Sequence, residues 1–113
     1  MKKLEYQAYS KLAIKTIANI LRLATASASR NEHQIATEPH YVSSLIKCTV
    51  VHRLGTVPVG EPSIVIAVSS PHRKEAFVAC EYILEEVKRK AQIWKREYYE
   101  GQNDEEAEWK ENH

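Results

Sequence analysis

The residues with the most chemical promise fall between 64 and 97, in IVIAVSSPHRKEAFVACEYILEEVKRKAQIWKRE. His72 and Arg73 open a helix there, and Lys88 and Lys95 follow as Lys-x6-Lys-Arg-Glu. Both are cationic sets placed where an anionic substrate could be held. A helix start has unpaired backbone N–H groups and partial positive charge, so cations there call for compensation. A bound phosphate or carboxylate supplies it. The competing reading is that His72 and Arg73 simply face water. Lys88 sits in the last turn, where the helix dipole favours a cation without any ligand. Lys95 shares a strand face with Ile93. If that face is covered, Lys95 is partly desolvated and suited to give or take a proton; if not, it is a solvated lysine at a sheet edge.

Geometry separates the two sets. From residue 73 to 88 a straight helix covers ~22 Å, so one small substrate cannot touch both ends. Either there are two sites, or two copies of the chain bring opposite ends together. The second option predicts a homodimer with composite sites. His52 and Arg53 end an earlier strand and either face the same cleft or serve only the turn that follows.

The elements that must position these groups follow from periodicity. Leu4, Tyr6 and Ala8 alternate with polar residues, which predicts a short opening strand. Ser10 is the expected N-cap of a helix over about 11 to 28, with Ala13, Ile17, Ile20, Leu21, Ala24 and Ala28 on one face. Residues 29 to 42 read as a long surface loop. A strand is expected over 44 to 53, covered on both faces, followed by the turn HRLGTVPVGEP. Ile64 to Val68 reads as a buried central strand. Ser70 and Pro71 form an expected N-cap and first-turn pair for a helix to Lys90. Its buried stripe is predicted as Phe77, Cys80, Ile83, Leu84 and Val87, with Tyr82, Glu85 and Glu86 facing solvent. Gln92 to Tyr99 is the last strand, and Trp109 is placed to pin the polar tail, 101 to 113. The order β-α-β-β-α-β gives an α+β domain on one sheet.

Composition narrows the class. The chain has 113 residues, 43% hydrophobic and 27% charged, with a net charge of +1. One soluble domain is expected, without a global field for nucleic acid or membrane. Cys48 and Cys80 read as reduced core thiols, with a sulfur-relay role as the minor alternative. The histidines lack metal-ligand spacing, so neither metal nor cofactor is expected. The start MKKLEYQAY lacks the apolar core of a signal peptide, and no apolar run reaches membrane-spanning length. The expected compartment is the cytosol.

Three segments together carry a family resemblance: LEYQAY, VVHRLGTVPVGEPSIVIAVSSPHRKEAF and VKRKAQIWKRE. The chain resembles the catalytic subunit of molybdopterin synthase over nearly its whole length, least in 22 to 44. That resemblance implies an α/β hammerhead fold. It implies a sulfurtransferase that converts precursor Z, a cyclic pyranopterin monophosphate, into molybdopterin by installing two dithiolene sulfurs. The sulfur donor would be a small ubiquitin-like partner subunit carrying a C-terminal thiocarboxylate. The assembly would be a heterotetramer around a homodimer of this subunit. The resemblance makes Lys88 and Lys95 the catalytic lysines. It makes His72, Arg73, Lys88, Lys95, Arg96 and Glu97 substrate-binding.

The sequence also departs from the family's pattern. Several strands and an arginine-bearing loop are expected before LEYQAY, whereas Met1 stands just before that motif. The chain therefore reads as N-terminally truncated relative to the family. Gln92 replaces a usual proline, residues 29 to 42 are a longer insertion, and only His113 stands where a basic residue follows the tail tryptophan. Two other function classes fit less well: a non-catalytic paralogue that only dimerises or docks the partner, and a small RNA-binding domain using the basic cluster at 88 to 96.

Overall fold

The structure, a computed structural model, describes residues 1–28 and 47–112. The expected loop at 29 to 42, the strand residues 44 to 46 and His113 lie outside the described residues. The elements are β1 (Lys3–Ala8), α1 (Ser10–Ala28), β2 (Lys47–His52), β3 (Gly55–Pro58), β4 (Ile64–Ser69), α2 (Arg73–Lys90), β5 (Ile93–Tyr98) and β6 (Trp109–Glu111). A single 3-10 turn, Asp104–Glu106, precedes β6.

The predicted order is present with two strands added, and on two sheets instead of one. β3-β1-β5-β6 forms an antiparallel four-stranded sheet; β2 and β4 pair separately. β3 lies inside the stretch read as a turn. Its Pro58 has no N–H to donate, which an edge strand tolerates. Gly60 (φ 87°) then turns the chain, and Glu61 N–H donates to the Pro58 carbonyl at 3.2 Å.

The core joins both helices to both sheets. Tyr6, Ala13, Ile20, Ala24, Val57, Ile83, Val87, Ala91 and Ile93 form one buried cluster. The face read for α1 packs as expected at Ala13, Ile17, Ile20, Leu21 and Ala24. Ser10, however, is the first helical residue, and the Tyr9 carbonyl accepts the opening bond from Ala13.

On α2 the buried residues are Ala79, Ile83, Glu86 and Val87. Phe77, predicted buried, is 74% exposed. At 100° per residue Phe77 lies about 120° around the helix from Ile83, too far to share its face. Cys80 and Leu84 are half-buried at the margin. Glu86, predicted solvated, is buried, with Lys90 at 2.6 Å and Arg89 at 3.6 Å. Tyr82 also packs against the core.

The two-stranded sheet corrects two further expectations. Cys48, Val50 and His52 alternate with exposed Lys47, Thr49 and Val51, so β2 is covered on one face only. β4 is likewise half-covered: Ile64, Ile66 and Val68 face the core, while Val65 is 55% exposed. An apolar run cannot by itself distinguish a central strand from one layered on a single side.

Candidate functional site

The site begins with a row of residues across the larger sheet. Tyr6 on β1 is paired with Gly55 on β3 and Lys95 on β5, and Lys95 is paired with Lys110 on β6. Alternation puts Lys95 on the face of β5 that also carries buried Ile93. Lys95 is half-buried, as a covered face requires. Above this row, the C-terminal turn of α2 contributes Lys88. The start of β4 contributes Ile64 with Ser63 before it, and the end of β2 contributes His52. Together with Asn112 these residues line a cavity of about 110 Å³. Lys88 and Lys95 therefore face one space.

His52 is held on three sides. Its ring meets Tyr6 edge-on, with centroids 4.8 Å apart and planes at 73°. Nδ1 lies 2.7 Å from the Arg53 carbonyl, which can only accept, so Nδ1 carries the proton. Nε2 then accepts from Asn112 Nδ2 at 3.3 Å. Burial pushes the imidazole below the ordinary histidine range; the bond to Arg53 opposes this and is the smaller influence. His52 thus faces the cavity, one of the two possibilities open in the sequence.

The remaining two residues of the WKRE strand diverge. Glu97 shares a face with Lys95, its Oε1 3.5 Å from Lys95 Nζ and its Oε2 3.6 Å from Lys110 Nζ. The Tyr99 hydroxyl donates to Glu97 at 2.6 Å. That bond, then the two ammonium groups, hold the carboxyl below its usual range against the opposing effect of burial. Arg96 points to the other face. Its Nε donates to the Ala107 carbonyl at 2.7 Å and its NH2 to the Asp104 carbonyl at 3.0 Å. Its guanidinium also lies over the rings of Tyr98 and Trp109. Trp109 thus does pin the tail, through β6 and Arg96, and this carries Asn112 into the cavity wall.

At the opposite end of α2, His72 and Arg73 are exposed. The helix begins two residues later than Ser70-Pro71 suggests. His72 is the N-cap, in extended conformation, and its side chain makes no capping bond. The Ser70 hydroxyl donates to the His72 carbonyl, so it is not capping N–H groups. Acidic Glu75 lies in this first turn, where the dipole favours it. Neither His72 nor Arg73 lines the lysine cavity.

Among the described residues no group of three or more His, Cys, Asp or Glu could hold a metal ion, and no helix is long and apolar enough to cross a membrane. Cys48 and Cys80 are free and half-buried, as core thiols would be. Burial pushes the Cys48 thiol up, which disfavours the reactive thiolate. Sequence reasoning passed over Tyr6, Ser63 and Asn112. Tyr6 had a signal, since it lies on the same strand face as Leu4 and Ala8. Asn112 had none, because its contact with His52 is made by β6, itself unforeseen.

Comparison with known proteins places this geometry in a family. The model described as "MoaE protein" matches residues 1–90, reaching Lys88 but not Lys95. The molybdopterin synthase catalytic subunit of Oryza sativa subsp. indica is 41% identical over 110 residues, 97% of this chain and 47% of that protein. The protein of the same name from Pyricularia oryzae is 44% identical over 101 residues, 89% of this chain and 47% of its own. The chain thus spans about half the length of the curated relatives it matches. The crystal structure of molybdopterin synthase from Staphylococcus aureus superposes with a TM-score of 0.73 at 32% identity, covering 96% of this chain and 66% of that one. With most of its length matched by that family's model and by these relatives, the chain belongs to the MoaE family.

Proposed function

We propose that this chain acts as the catalytic subunit of a molybdopterin synthase in molybdenum cofactor biosynthesis. In this reading it transfers two sulfurs from a thiocarboxylated, ubiquitin-like partner to precursor Z and so makes the dithiolene of molybdopterin. The observation that carries the reading is the convergence of Lys88 and Lys95 on one cavity in a chain of this family. Two ammonium groups suit the chemistry. One can steer the partner's thiocarboxylate, and either can stabilise an oxyanion as sulfur is transferred. Lys95 is half-buried, which strengthens its interactions by excluding water, while Lys88 is exposed at the cavity rim.

His72 and Arg73 are proposed to hold the substrate phosphate, with Arg96 and Glu97 completing the binding motif. In this role Glu97 fixes Lys95, and Arg96 supports the site by fastening the tail. The ~22 Å between Arg73 and Lys88 along α2 is too far for one small substrate, and two copies bringing opposite ends together would close it. In this reading the working unit is a homodimer carrying composite sites, within a heterotetramer with the partner. The expected location is the cytosol.

Reconstitution tests this. The chain, thiocarboxylated partner and precursor Z are mixed, and molybdopterin is assayed. Product that disappears with Lys88→Ala and with Lys95→Ala supports the assignment. Product unchanged by both substitutions contradicts it. Partner binding without any product favours the docking paralogue.

A further inference from the structure

Asn112 is only 6% exposed. A carboxamide that deeply buried needs a hydrogen-bond partner, and it has His52 Nε2 at 3.3 Å. With the Asn112 NH2 turned to the ring, as it stands here, the contact fits one protonation state. The Arg53 carbonyl fixes the proton on Nδ1, so a neutral ring must accept at Nε2 and Asn112 must present its NH2. A second proton on the ring would set two donors against each other, or make the Asn112 amide turn over and withdraw its NH2. It would also add a positive charge to a cavity already lined by Lys88 and Lys95. The Tyr6 phenol ring also meets the imidazole in a T-shaped contact, and the guanidinium of the next residue, Arg53, is paired with Glu61 at 3.1 Å.

We propose that His52 and Asn112 form a positioning pair for the lysine cavity. The neutral imidazole takes one hydrogen of the Asn112 amide and leaves the other to donate to an anion held by Lys88 and Lys95. This rests on reading the cavity as an anion site. It assigns a role to two residues outside the lysine motif, joined from β2 and from the end of β6. Asn112 is the group that touches the anion; His52 acts through it.

The test is an NMR titration of the 113-residue chain with labelled histidine, using inorganic phosphate as probe and following the Lys88 and Lys95 ammonium signals. Wild-type His52 is expected to stay in the Nδ1–H form, with a midpoint below the ordinary 6.5. Asn112→Asp is expected to raise that midpoint by about one unit or more, since a carboxylate favours the imidazolium. Phosphate affinity is expected to fall roughly tenfold in Asn112→Leu and His52→Phe, the loss of one hydrogen bond to a charged group. His52→Gln, which can still accept from Asn112, is expected to recover most of it. A wild-type midpoint at or above 6.5, or equal phosphate affinity in Asn112→Leu, overturns the pair. If His52→Phe fails to fold, Asn112→Leu and His52→Gln carry the test. Failure of the enzymatic reading looks different: the titration and phosphate results hold, but reconstitution yields no molybdopterin. If product forms equally well in Asn112→Leu and wild type, the pair is wrong and the enzymatic reading stands.

Discussion

The two ends of α2 carry similar charges in opposite settings. At the N-terminal end His72 and Arg73 are exposed and no side chain caps the helix. At the C-terminal end Lys88, itself exposed, borders a cavity that half-buried Lys95 shares, walled by β1, β4, β5, the end of β2 and the residue after β6. The dipole would favour the cations at the second end and disfavour those at the first, by a few tenths of a kcal/mol either way. So small an effect does not make a site. What separates the ends is enclosure: one has walls supplied by strands distant in sequence, and the other has none among the described residues. An open cationic end becomes useful when something covers it, which is the role the composite-site proposal gives to a second copy.

The largest effect is expected at the enclosed end. Lys95→Ala should reduce molybdopterin formation in the reconstituted assay by roughly a hundredfold or more, as loss of an oxyanion-stabilising group does. Its thermal midpoint should stay near wild type, because Lys95 is only half-buried. Activity within a few fold of wild type would mean that enclosure does not mark the working end. Next comes the helix that joins the ends. Ile83 is fully buried, so Ile83→Ala should cost about 2–5 kcal/mol in denaturant unfolding and weaken both ends together.

A smaller effect is expected at the open end. Arg73→Ala should raise the precursor Z concentration needed for half-maximal rate and leave stability nearly unchanged. A stability loss comparable with that of Ile83→Ala would show that Arg73 is structural. The smallest effect is pH-dependent and confined to the enclosed end. His52 sits below its unfolded value of 6.5, so the unfolded chain takes up that proton first. Its stabilising contribution is therefore full above 6.5 and is lost as pH falls through the folded value. Glu97 adds a second loss below 4.5, as its carboxylate is protonated away from Tyr99, Lys110 and Lys95. Unfolding midpoints across pH 3 to 8 should show the upper step vanish in His52→Gln.

The same contrast explains what was legible in the sequence. Local features read well: the α1 stripe, the extent of α2 to Lys90, and the cations at both of its ends. The phase of the α2 stripe was misjudged at Phe77, because an exposed aromatic three residues before Cys80 imitates a buried face. β3 was hidden by its glycine and proline, which mark turns but are admitted at a sheet edge. The four-residue GTVP strand exists because β1 offers it a partner, not because of its own propensity. The cavity was half legible. Lys88, Lys95 and His52 were all singled out, but their meeting depends on the Tyr6–Lys95 register and on α2 ending above it. Asn112 depends on the fastening of the tail by Arg96, which acts across the fold.

The composite site is the central claim, and mixed dimers test it most directly. Arg73→Ala and Lys95→Ala chains are denatured together, refolded and assayed with partner at a precursor Z concentration low enough that the raised half-saturation leaves Arg73→Ala alone with little activity. If each site draws Arg73 from one copy and Lys95 from the other, random pairing gives mixed dimers with one intact site, and about a quarter of wild-type activity should return. If both residues serve a site within one chain, the mixture will show no more activity than its separate components, and the account of the two ends fails.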